Sequence, residues 1–153
     1  MHDIYEMRGA RVEALSSKRI SSIALETAEL LKINKHTSKN MGIFMESLQE
    51  HGILVDVVDD NEWLRITNAG CINSTILIPN GLYDQVCKGY PDAVFIFFHE
   101  LGHLLLGHKA MLHHSDILPN KSEDSEWQAD EFSKNMLKIM KMKYIPEQLS
   151  FRF

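Results

Sequence analysis

The segment from Pro91 to Gly107 constrains the fold more than any other part of the chain. From Ala93 to Leu106 it is apolar except for His99, Glu100, Gly102 and His103. Tyr90-Pro91-Asp92 reads as its opening, because proline is tolerated in a first helical turn, where its missing N–H would have no partner anyway. A helix that is apolar almost all round has to be buried on all sides. Two imidazoles and a carboxylate inside such a helix would cost several kcal/mol unless each found a partner. The segment therefore predicts a central helix and, on it, a site.

The polar residues spell His99-Glu100-Leu101-Gly102-His103, the H-E-x-x-H pattern. Residues four apart share a helix face, with Cβ atoms about 6 Å apart, so two imidazoles can converge on one ion. Glu100 sits one position round, where a base can take a proton from water activated by the metal. A third protein ligand is then needed. The downstream candidates are His108, His113, His114, Asp116, Glu123, Asp124, Glu126, Asp130 and Glu131. Glu126 is the strongest, with Asp130 on the same helix face to accept an N–H bond from a ligand histidine and fix its tautomer. Glu123 and Asp124 read instead as acids at a solvated helix start. His108 reads as a cation at a helix C-terminus or as a surface residue. His113 and His114 lie in a loop that could border the cleft, and either could donate to an oxyanion. Tyr83 and Tyr90 are further oxyanion or substrate candidates, with packing as the alternative role.

The rest of the chain suggests one α+β domain spanning 1–153, its core at about 16–142 and residues 1–15 open to being a loose arm. Its 153 residues suit a single domain, and no repeat, low-complexity tract or linker divides it. Ile20, Ile23, Ala24, Thr27, Ala28 and Leu31 form a helical stripe that Ser16 or Ser17 can cap. A second helix runs from about Asn40 to His51, with Gly52 suited to its end. Strands are expected at Ile53–Val58, Trp63–Thr67 and Ser74–Ile78, separated by turn signals, giving a three-stranded, mostly antiparallel sheet. The last helix runs from about Ser122 to Met142.

Composition excludes several classes. Net charge is −5, which is no nucleic-acid footprint. Two cysteines, Cys71 and Cys87, are too few for a disulfide scaffold and read as reduced thiols. The longest apolar run, Ala93 to Phe98, is far short of a membrane span, and the N-terminus lacks the apolar stretch of a secretory signal. A soluble, cytoplasmic protein is expected. Residues 41–87 carry seven acidic groups and one basic one. A solvated surface accounts for that; the alternative is a face that attracts a basic partner such as a DNA-binding protein.

The run Phe95 to His108, followed by Glu126-Trp127-Gln128-Ala129-Asp130-Glu131-Phe132, resembles the ImmA/IrrE metallo-endopeptidases. Leu15 to Ile20 and Ser74 to Tyr83 are similar to that family's first helix and its run into the active-site helix. The resemblance covers roughly residues 11–141, although the E-x-x-A-D element also recurs in other glutamate-ligand zincins. It implies a small zincin-like fold with a buried HExxH helix and a C-terminal ligand helix. It also implies Zn²⁺ held by His99, His103 and Glu126, with Glu100 as general base. Members typically cleave a helix-turn-helix repressor, often encoded beside them, that controls a mobile element or a stress response. A DNA-binding protein substrate is thus implied, without direct nucleic-acid or membrane binding. One departure is that the family's leucine-rich segment ending in Met-Pro is matched only by Met136-Leu137-Lys138-Ile139-Met140, which implies a compact, single-module member. A substrate segment could join the strand Ser74–Ile78 at its edge. The competing reading is a zinc-containing module that regulates a repressor or a toxin–antitoxin component without cutting it.

Overall fold

The computed structural model describes residues 5–59, 71–72, 74–108 and 118–143. Helix α1 spans Ser17–Leu31, and Ser16 accepts the Arg19 N–H at its start. Its stripe Ile20, Ala24, Ala28 and Leu31 is buried. Helix α2, Met41–Ser47, tightens into a 3₁₀ turn at Leu48–His51 and stops at Gly52, whose φ of 77° suits a residue without Cβ. Strands β1 (Leu54–Val58), β2 (Cys71–Ile72) and β3 (Thr75–Pro79) follow. Three further helices are α3 (Asn80–Cys87), α4 (Pro91–Leu105) and α5 (Ser125–Ile139), the last preceded by a 3₁₀ turn at Lys121–Glu123.

The α+β class holds, but the mostly antiparallel sheet does not. The order is β1-β3-β2, and the longer pairing, β1 with β3, is parallel, running from Leu54↔Thr75 to Val58↔Pro79. Only the two-residue β2 pairs antiparallel with β3. The cause is connection length. A tight turn returns the chain antiparallel, whereas the segment 59–74 between β1 and β3 is long enough for a crossover. Alternating apolar residues report burial, not direction, so the pattern could not separate the two. Strand β3 is consequently central: β1 pairs along its whole length on one side, and β2 covers Thr75 and Ile76 on the other. The strand expected at Trp63–Thr67 lies outside the described residues.

Helix α4 is the centre of the core. Phe97, Phe98 and Leu101 are fully buried, alongside Ile20 of α1, Ile76 of β3 and Phe132, Met136 and Leu137 of α5. Phe98 meets Phe97 edge-on, with ring centroids 5.3 Å apart, and meets Phe44 at 5.7 Å. Two local features bring α4 and α5 together. Gly102 lies against Phe132, where an added Cβ would come within 3.0 Å of the ring and 3.3 Å of Phe132 Cβ. Ser133 of α5, fully buried, donates to the Phe95 carbonyl of α4 at 2.7 Å.

From Tyr5 onward the N-terminal stretch is tied down, not loose. Val12 N–H donates to the Glu123 carbonyl (2.7 Å), Leu15 N–H to Ser122 (2.9 Å), and Ser125 N–H to Ala10 (3.0 Å). Asp124, expected at a solvated helix start, is fully buried. Its carboxylate caps α5 by accepting Glu126 N–H, and it also accepts from Tyr5 O–H, Arg8 N–H and Gly9 N–H. Burial alone would raise this carboxyl, but these donors hold it below its usual range.

Candidate metal centre

His99 and His103 occupy one face of α4, one turn apart, and Glu126 faces them from the first turn of α5. Glu126 Oε2 lies 2.5 Å from His103 Nε2 and 3.1 Å from His99 Nε2, and the two Nε2 atoms are 3.1 Å apart. The group is half-buried and forms a compact His/His/Glu set suited to a metal ion. Gly102 contributes indirectly: with no side chain against Phe132, it lets the two helices approach closely enough for this convergence.

The outward atoms of these candidate ligands show which way the lone pairs point. His99 Nδ1 donates to Asp130 Oδ1 at 2.7 Å, so its Nε2 carries a lone pair toward Glu126 when the ring is neutral. Asp130 is held in turn by Arg8, whose Nη1 lies 2.9 Å from Oδ2. On the other ring, His103 Nδ1 lies 2.8 Å from His108 Nδ1, and His108 Nε2 lies 2.7 Å from Gln128 Oε1. Two imidazole nitrogens and a carboxylate oxygen, with their outer hydrogen bonds made, form the donor set that catalytic zinc takes. Tetrahedral ligands at zinc's bond lengths are roughly 3.3 Å apart, so a small opening of these side chains accommodates the ion.

Electrostatics agree with the geometry. Burial would lower the His99 pKa, but the Asp130 and Glu126 carboxylates outweigh it and raise it to about 9. Burial would raise Glu126, and the two histidines instead hold it well below the usual carboxylate range. Asp130 is likewise depressed, by His99 and Arg8 against burial. Glu100 goes the other way. Burial raises its pKa above the ordinary glutamate value, assisted by the Glu126 charge and opposed by His99 and His103. A carboxyl raised in this way accepts a proton more readily than an ordinary glutamate.

His108 is not a helix-terminal cation. Helix α4 ends in a Schellman turn: Gly107, at φ 62°, donates N–H to Leu104, and His108 donates N–H to the His103 carbonyl at 3.2 Å. That 6→1 bond folds His108 back beside His103. Burial, with the charge of His103, lowers its pKa to about 4, so it is neutral. The polar groups acting on Tyr83 are Cys87 and Glu46, outside the histidine cluster. Tyr90 is exposed at the opposite end of α4 from His103. His113, His114 and Asp116 lie outside the described residues. Three contributors were missed from the sequence: Arg8, Gln128 and the inward-facing role of His108. The glycine after α4 was the available signal for His108, since a Schellman stop turns the next residue back onto the helix. Arg8 and Gln128 left no local signal.

Comparison with known proteins finds no match: no family model, curated protein or solved structure matches the chain.

Proposed function

We propose that this chain is a zinc-dependent endopeptidase. The observation that carries this reading is the convergence of His99 Nε2, His103 Nε2 and Glu126 Oε2, with a raised-pKa Glu100 beside them. A purely structural zinc site has no use for that base. Bound zinc supplies Lewis acidity toward a carbonyl and makes water in the site acidic enough to ionise near neutrality. His99 and His103 present neutral nitrogens, and Glu126 adds one negative charge. Asp130 and Arg8 keep the His99 ring turned with Nε2 inward. Glu100 accepts the proton of the attacking water at its carboxylate and delivers it to the leaving amine.

The resemblance to ImmA/IrrE metallo-endopeptidases supports a substrate class, a helix-turn-helix repressor or related regulator of a mobile element or stress response. It also supports action in the cytoplasm, where such regulators reside. Among the described residues no helix is long and apolar enough to cross a membrane. The test is co-expression with any helix-turn-helix repressor encoded beside this gene. Wild type is expected to yield cleavage fragments, and Glu100→Gln is expected to keep zinc while cleavage falls by at least ~10²-fold. Cleavage by Glu100→Gln at the wild-type rate would overturn the mechanism. An intact repressor that nevertheless binds the wild-type protein would favour the regulatory module.

A further inference from the structure

With His108 neutral, the second ring of contacts around His103 has one consistent proton arrangement. Gln128 is fully buried in α5, and its Nε2 donates to two carbonyl oxygens, Glu13 at 2.8 Å and Ser122 at 2.7 Å. Those bonds fix the orientation of the amide, so the atom facing His108 is Oε1. An amide oxygen has no proton to give, so His108 Nε2–H must donate to it across 2.7 Å. His108 Nδ1 is then an acceptor. Its neighbour at 2.8 Å, His103 Nδ1, must carry the proton between them. When the His103 ring is neutral its lone pair is thereby left on Nε2, the atom 2.5 Å from Glu126.

We infer that Gln128 and His108 are positioning residues that lock His103 into its Nδ1–H tautomer, so that Nε2 is presented to the metal. The inference rests on the reading of His99, His103 and Glu126 as a zinc site. It does not require that the chain cut anything. It also explains an otherwise costly arrangement, a buried amide and a half-buried imidazole beyond the three ligands. The two ligand histidines are oriented by different means. His99 leans on the charged pair Asp130 and Arg8, and His103 on an uncharged chain anchored in the backbone of residues 13 and 122. The carboxylate partner makes His99 more basic, while the neutral partner fixes the orientation of His103 without adding charge.

The test begins with long-range ¹H–¹⁵N NMR of the metal-free wild-type protein at mildly alkaline pH. The expected pattern is a proton on Nδ1 of His103 and, at His108, on Nε2 only; a bare Nδ1 at His103 or a protonated Nδ1 at His108 overturns the inference. Competition with a chromogenic zinc chelator provides the second readout. His108→Ala is expected to weaken zinc binding roughly 10–100-fold. His108→Asn, whose Oδ1 falls near the position of the histidine Nδ1 and can accept, is expected to recover most of that loss. Zinc affinity unchanged in His108→Ala, or His108→Asn no tighter than His108→Ala, would contradict the relay. Should His108→Ala fail to fold, the wild-type tautomers alone decide. A chain with these tautomers that cleaves nothing upholds the relay and overturns the peptidase reading; a chain that cleaves but shows other tautomers does the reverse.

Discussion

Four donors meet on the carboxylate of Asp124, and they come from two distant parts of the chain. The residue caps α5 and at the same time clasps residues 5–9, which carry Arg8 to Asp130. Replacing Asp124 by Ala removes the cap and leaves buried N–H groups unpaired. The expected cost is about 2–4 kcal/mol of folding stability, measured by urea unfolding. A loss within about 0.5 kcal/mol would show that the clasp is solvated in solution. At this scale the sequence was legible where helix geometry fixes spacing. His99 with His103, and Glu126 with Asp130, are one turn apart in any helix, so their shared faces could be read directly. The contacts of Asp124, Arg8 and Gln128 span more than a hundred residues of chain or run through backbone carbonyls, and no periodicity encodes them.

The α4–α5 pair depends on Gly102. Glycine inside a helix costs roughly 0.5–1 kcal/mol relative to alanine, so Gly102→Ala would ordinarily stabilise α4. Here the new methyl would meet both the ring and the Cβ of Phe132, which is fully buried and cannot move aside. Overpacking of this kind costs typically 1–3 kcal/mol. The net expectation is a destabilisation of about 1 kcal/mol, together with weaker zinc binding, because the helices that carry the ligands are pushed apart. Thermal unfolding and chelator competition on the same variant check both. Gly9 is a second close approach: a Cβ there would lie 2.7 Å from Glu126 Cγ and 2.5 Å from Ser125 Oγ. Among the elements, the helices were legible from apolar stripes and end signals, such as Ser16 before α1 and Gly52 after α2. The strands were legible only as apolar segments. Whether Leu54–Val58 runs parallel to Thr75–Pro79 depends on the path of the intervening chain, which the alternation of side chains does not record.

For the whole molecule, the cluster links folding to pH and to metal. In the metal-free protein the folded His99 pKa of about 9 lies above the ordinary 6.5. Its contribution is therefore fully present below pH 6.5 and is lost as pH rises through about 9. That loss is at most about 3 kcal/mol, at 1.36 kcal/mol per unit. Glu126 and Asp130 are depressed, so their share is present above the ordinary carboxylate range and is lost as pH falls. Metal-free protein should be most stable from mildly acidic pH to neutrality. Saturating zinc should remove the alkaline decline, because a ligand histidine is already neutral. Urea midpoints across pH, with chelator and with zinc, would show this as two diverging curves; curves that stay parallel would exclude His99 as a ligand.

The proposed chemistry is organised around a metal held by His99, His103 and Glu126. Metal analysis of protein purified without chelators tests it most directly, on the wild type alongside Glu126→Ala and Glu100→Gln. Stoichiometric zinc is expected in the wild type and in Glu100→Gln, and little in Glu126→Ala. Wild-type protein without metal, or Glu126→Ala retaining as much zinc as the wild type, would contradict it.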